Sequence, residues 1–202
     1  DNGEISNKRR KVEAEKDEQQ VVQQNEAMAS TIQAVTAGVG EAKPLVGEGE
    51  QFTNGRKNKL KPDIRYQTGE FKYFYETDGK GRIIKFKADN LQLTIREERL
   101  PHSKNTPGKI KGKDHAGHLA GDRFGGSPKL DNLVSQLSEV NLSEYKKLEN
   151  QWEAAIKDGL EVTVIIDIVY EGGGLRPLKF LIMYTIDGDA TSVSITNNRR
   201  ED

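Results

Sequence analysis

The chain has 202 residues, of which 34% are apolar and 31% charged, and a formal net charge of −1. That balance excludes a uniformly basic coat for nucleic acid, and nowhere is there a run of the roughly 20 apolar residues that spans a bilayer. With no cysteine there are no disulfides and no thiolate sites, so any metal must take oxygen or nitrogen ligands.

Residues 1–47 are polar, rich in Gln and Glu, and without an aromatic residue. Their few apolar positions sustain no heptad, which predicts a marginal helix or a disordered linker with no catalytic role. The chain opens on Asp1 rather than Met, as a piece of a longer protein would. Aromatic residues begin at Phe52, and residues 48–202 are expected to form one domain. Next comes GRKNKLKPDIR, residues 55–65, with five basic side chains against Asp63. The stretch EFKYFYETDGKGRIIKFKADNLQL places two β-rich arms around Asp78-Gly79-Lys80-Gly81, a hairpin by its turn chemistry.

Residues 101–130 carry six Lys or Arg against Asp114 and Asp122. Within them KGKDHAGHLAGDRFGG, residues 111–126, holds two of the chain's three histidines and reads as a glycine-rich basic loop. Two basic runs flanking one candidate site point to a polyanion partner. Further on, Tyr145, Leu148, Trp152 and Ile156 fall at helical spacing and the helix stops at Gly159. EVTVIIDIVY and PLKFLIMYTIDG are apolar strands joined by EGGGLR. Strands, a loop, a helix and strands again, without βαβ alternation, predict an α+β fold with an antiparallel sheet.

The chemistry-bearing residues cluster around that loop. A neutral imidazole is the side chain suited to taking a proton near pH 7, and His118 follows a glycine that permits close approach. Downstream lie Asn132, Gln136, Asn141 and Glu149, among them an amide and a carboxylate of the hard-oxygen type that suits Mg2+. Asn141 has a structural reading too: with Glu144 it fits a capping box at the start of the helix, and composition alone favours the cap.

GHLAGDRFGG, the steps from Asn132 through Gln136 and Asn141 to Glu149, Trp152 and RPLKFLIMYTIDG together resemble the DNA/RNA non-specific endonucleases of the ββα-metal class. The version most similar is that of the C-terminal toxin domains of bacterial LXG-type polymorphic toxins. The resemblance runs from Phe71 to Ile195 and rests on spacing: Asn-x-x-x-Gln, then an Asn, then a Glu eight residues on. It implies a ββα-metal nuclease core whose central antiparallel sheet is flanked by helix and loops. His118 would be the general base, Asn141 the direct ligand of Mg2+ (with Mn2+ as a substitute), and Glu149 the holder of metal-bound water. A near-normal pKa would suffice for His118. By residue type and proximity, rather than by the resemblance, Arg123 or a nearby lysine would offset phosphate charge, and His115, Lys113, Asn132 and Gln136 would contact substrate. The resemblance further implies a nucleic-acid substrate, no membrane partner, a cognate immunity protein, and secretion through a type VII system to act in a target cell's cytoplasm.

The family pattern Asp-Arg-Gly-His is His115-Ala116-Gly117-His118 here, so one arginine is missing, and a second is replaced by Glu153. Two other readings stand beside the nuclease. One is a non-catalytic module that grips nucleic acid or an acidic protein. The other is a structural zinc site made by His115 and His118 with His102 or Asp114.

Overall fold

Two antiparallel meanders build the central sheet. The computed structural model describes residues 43–53 and 56–198. After a short ribbon of β1 (Phe52–Thr53) and β2 (Arg56–Leu60), the first meander is β3 (Arg65–Thr68), β4 (Tyr73–Thr77) and β5 (Ile83–Ala88). The chain then leaves the sheet for β6 (Asp114–His118), β7 (Leu133–Leu137) and helix α1 (Tyr145–Lys157). It returns as the second meander, β8 (Val162–Tyr170), β9 (Pro177–Ile186) and β10 (Asp189–Thr196). Sheet order is β10-β9-β8-β5-β4-β3, so residues 89–161 depart from and rejoin neighbouring strands. The Leu91 N–H bond to the Val162 carbonyl, 2.8 Å, closes the base of that excursion.

Cross-strand partners share a face, and register places Tyr66, Tyr75, Phe86, Ile166 and Ile182 in one row across five strands. None is more than 1% exposed, and each such side chain contributes roughly 1.5–3 kcal/mol by leaving water. The opposite face carries ionic pairs such as Lys85 with Asp167 at 3.2 Å, the one-sided burial usual for an antiparallel sheet. Helix α1 buries Tyr145, Leu148 and Trp152 as its spacing predicts, while Ile156 is only partly covered. Trp152 packs edge-on against Tyr184 of β9, ring centres 5.6 Å apart. Both expected hairpins form, and the α+β class read from the sequence is the one observed.

The sequence reading needs correction at three places. First, residues 111–126 are not wholly loop: Asp114–His118 is a strand paired with β7. Its composition gives little β-propensity, and tertiary contacts hold it instead. Arg176 grips both Asp114 oxygens at 2.8 and 2.9 Å, and Asn197 bonds the β7 backbone at Ser135 and Leu137. Second, Asn141 caps nothing. It lies in a π-helical turn, Val140–Glu144, whose wide i→i−5 bond runs from Tyr145 N–H to the Val140 carbonyl. Third, of the basic run at 55–65, the described side chains Lys59, Lys61 and Arg65 do not line the cleft described below.

The helix or linker expected over residues 1–47 lies outside the described residues as far as residue 42. From Lys43 onward the chain is paired: Arg65 N–H bonds the Pro44 carbonyl and Val46 N–H the Arg65 carbonyl. Lys43 Nζ also sits 3.0 Å from the buried carboxylate of Glu76. Residues 43–46, on the linker side of the boundary expected after residue 47, thus make contacts with β3 and β4. Among the described residues no helix is long and apolar enough to cross a membrane.

Candidate active site

Strands β6 and β7 with α1 form a ββα unit, and residues 119–132 link its strands. That link is tied to the core by tyrosine hydroxyls. Tyr66 donates to the Asp131 carbonyl at 2.6 Å, Tyr73 to the Phe124 carbonyl at 2.8 Å, and Tyr145 to the Leu119 carbonyl. Burial pushes the Tyr66 and Tyr145 phenols well above their usual range, so they remain protonated donors. Asn132 completes the frame. Its Oδ1 accepts from Ala120 N–H (2.9 Å) and Tyr75 OH (2.6 Å), and its Nδ2 donates to the carbonyls of Ala120 and Ser127.

On one side of this frame lies a cleft of about 780 Å³. His115, His118, Arg123, Asn141 and Glu149 all line it. The other expected substrate contacts do not. Asn132 is fully buried with both ends of its amide engaged, so it fixes the loop rather than touching a ligand. Gln136 is 2% exposed and packs against Gly117, where an added Cβ would stand 2.3 Å from its Oε1. Lys113 precedes β6, a strand's length or about 16 Å from His118, and is exposed to solvent.

Within the cleft, desolvation lowers the His118 pKa to about 4, helped by the neighbouring His102 and Arg99. The near-normal value expected from the sequence is therefore not found in the free protein. The imidazole is neutral at pH 7, and an anion bound beside it would raise its basicity. Glu149 moves the other way. Burial raises it to about 7, against the pull of Arg123, Arg99 and Lys146. The residue is half-buried, and its carboxylate makes no hydrogen bond or ion pair among the described residues, so those three cations act on it without contact. Asn141 Nδ2 lies 3.1 Å from His115 Nδ1. With the imidazole proton on Nε2 the amide donates to this nitrogen, leaving Oδ1 available to a cation.

Arg123 faces the cleft but is occupied, 2.9 Å from Glu153 and 2.8 Å from Asn150 on α1. It ties the loop to the helix, and the acid at position 153 is its partner. The zinc reading fits poorly. Asp114 is bound to Arg176, and among the described residues no three His, Asp or Glu converge as a metal-binding group. Sequence reasoning missed His102 as a wall of the site; its ring stands edge-on to that of His118, centres 4.7 Å apart. It also missed Arg99, which lines the cleft from the same segment. Neither carries a local signal, because both arrive on the irregular stretch between β5 and β6.

Known proteins are similar to this chain in sequence and in fold. Over 157 residues the chain is 36% identical to the type VII secretion system protein EssD of Staphylococcus aureus strain USA300, with similar matches to EssD of two further strains. The match covers 74% of this chain and 25% of EssD, so the chain spans a quarter of the length of the curated relatives it matches. Among solved structures, NucA from Streptococcus agalactiae with magnesium ion bound superposes with a TM-score of 0.50 at 16% identity. That superposition covers 74% of this chain and 77% of NucA, and the likeness is one of fold. The profile of the DNA/RNA non-specific endonucleases matches residues 62–188, and the chain belongs to that family.

Proposed function

We propose that this chain hydrolyses phosphodiester bonds of DNA, RNA or both without sequence preference, using a divalent cation, and that His118 is the base. The observation that carries this is the meeting in one cleft of the His118 imidazole, the Asn141 amide and the Glu149 carboxylate. The donor set fits a hard cation: an amide oxygen of Asn141 held open by His115, and a Glu149 carboxylate that makes no hydrogen bond or ion pair among the described residues. Asn141 would hold the ion directly and Glu149 through water. When bound, Mg2+ or Mn2+ would supply charge stabilisation for the phosphate oxygens and the leaving group. His118 takes the proton of a water as its oxygen bonds to phosphorus, and the bond to the leaving oxygen breaks. A cleft that reads phosphate backbone carries little base specificity.

The deciding experiment is incubation of the chain with plasmid DNA and total RNA, with Mg2+ and with EDTA. Cleavage that stops with EDTA is expected; tight binding without cleavage would return the chain to the non-catalytic reading. The wider context is part of the proposal. The likeness to a type VII secretion system protein supports a toxin domain exported by a bacterium, acting in a target cell's cytoplasm and neutralised at home by an immunity protein.

Glu149 gives the pH dependence. A carboxyl raised from 4.5 to about 7 contributes stability fully present below 4.5 and lost as pH rises through 7. A cation binding the ionised form reverses that loss. The Mg2+ concentration for half-maximal cleavage should thus rise about tenfold per pH unit below 7 and level off above it. Glu149→Gln should abolish the trend, and an equal Mg2+ requirement at pH 6 and pH 8 in the parent would refute the coupling.

Gly121 tests the placement of the same carboxylate. A Cβ there would stand 2.2 Å from Glu149 Oε2, yet the backbone (φ −59, ψ 158) suits any residue. The flexible side chain must move. Gly121→Ala is therefore expected to lose roughly 10–100-fold in activity with little change in melting temperature. Parental activity would show that Glu149 needs no fixed position.

A further inference from the structure

Most cations that line the cleft are already engaged. Arg96 Nη2 lies 2.9 Å from Asp122, Arg123 is held by Glu153 and Asn150, and Lys157 reaches Glu153 at 3.3 Å. Two remain. Arg99 and Lys146 line the cleft with no hydrogen bond or ion pair among the described residues.

Their settings differ. Lys146 projects from α1 as an exposed lysine. Arg99 sits on the segment between β5 and β6, which is fastened on both sides of it. Arg96 bonds Asp122 before it. After it come Leu100 N–H to Asp122 Oδ1 at 3.4 Å and Ser103 N–H to the Pro128 carbonyl at 3.0 Å. Three residues beyond Arg99, the His102 ring packs against that of His118. The backbone at Arg99 is thus fixed beside the base while its guanidinium stays exposed and unpaired. Its charge is felt by His102, His118 and Glu149, whereas that of Lys146 acts on Glu149 alone of the three. A planar fork of five donors, free of protein acceptors next to a base and an acid, is suited to the oxygens of a phosphate.

We propose that Arg99 grips the reacting phosphate: its guanidinium donates to the non-bridging oxygens of the phosphodiester lying against His118. It stabilises the charge that gathers on those oxygens as water adds to phosphorus. This rests on the phosphodiester reading above.

The test measures the parent, Arg99→Ala, Arg99→Lys and Lys146→Ala in Mg2+ on two substrates. One is plasmid DNA and the other bis(p-nitrophenyl) phosphate, a diester with a single phosphate and no polyanion. Arg99→Ala should lose about 10²-fold or more in kcat/KM on both. Arg99→Lys should recover part of that, since an ammonium restores charge without the fork. Free guanidinium should speed Arg99→Ala and leave the parent unchanged, while Lys146→Ala should lose far less than Arg99→Ala on the small diester. A parental rate of Arg99→Ala on the small diester would overturn the inference and leave the nuclease reading standing, because the side chain would then only attract polyanions. A parent that cleaves neither substrate would overturn both.

Discussion

His118→Ala is expected to slow nucleic-acid cleavage by at least about 10²-fold, the low end for a positioned acid-base group. Binding should persist, because in the proposed role the imidazole removes a proton and contributes little to holding substrate. Folding should persist as well. The ring's recorded contact is with His102, and it donates no hydrogen bond to a core group among the described residues. His115→Ala should behave differently. It loses the bond to Asn141 Nδ2 and so frees that amide to rotate, which should raise the Mg2+ requirement while leaving measurable cleavage. If instead His118→Ala cleaves at the parental rate and His115→Ala is dead, the base has been misassigned.

Asn132→Ala should fail by a different route. Truncation strands Ala120 N–H, two carbonyls and the Tyr75 hydroxyl in a site with no exposure, and breaks the brace of the loop that follows His118. Buried polar groups left unpaired cost about 1–3 kcal/mol each, with some relief as the site relaxes, so a loss of roughly 3–5 kcal/mol is expected. In a chain of this size that lowers Tm on the order of 10 °C, and activity measured well below the transition should partly survive. Loss of activity at an unchanged Tm would restore Asn132 as a substrate contact, the role expected from its residue type and proximity.

How much was legible follows from where each signal resides. The hairpin at Asp78–Gly81, the buried stripe of α1 and the apolar runs of β8 and β9 are local, and the sequence displays them. Strand β6 is not local: Asp-His-Ala-Gly-His has no β-forming character, and its pairing depends on Arg176 and Asn197, both more than fifty residues away. The capping box failed for a related reason. Asn141 and Glu144 have the right spacing, but a π-turn widens the helix start and the amide turns to His115 instead. In the site, His115, His118, Asn141 and Glu149 were found because they lie on the ββα unit, whose spacing the family resemblance supplies. Arg123 was chosen for its nearness in sequence to His118, and the structure engages it with Glu153. Arg99 and His102 come from an irregular segment whose course only the folded chain reveals.

The tyrosine ties of the 119–132 loop have an evolutionary consequence. Three of the four phenols address main-chain carbonyls, at Leu119, Phe124 and Asp131, which every residue type possesses. Those three bonds therefore survive a change of side chain at positions 122 and 123, although the ties those two side chains make themselves, Asp122 to Arg96 and Arg123 to Glu153, do not. A lineage can thus revise the side chains beside His118 one at a time while those main-chain ties hold the loop in place.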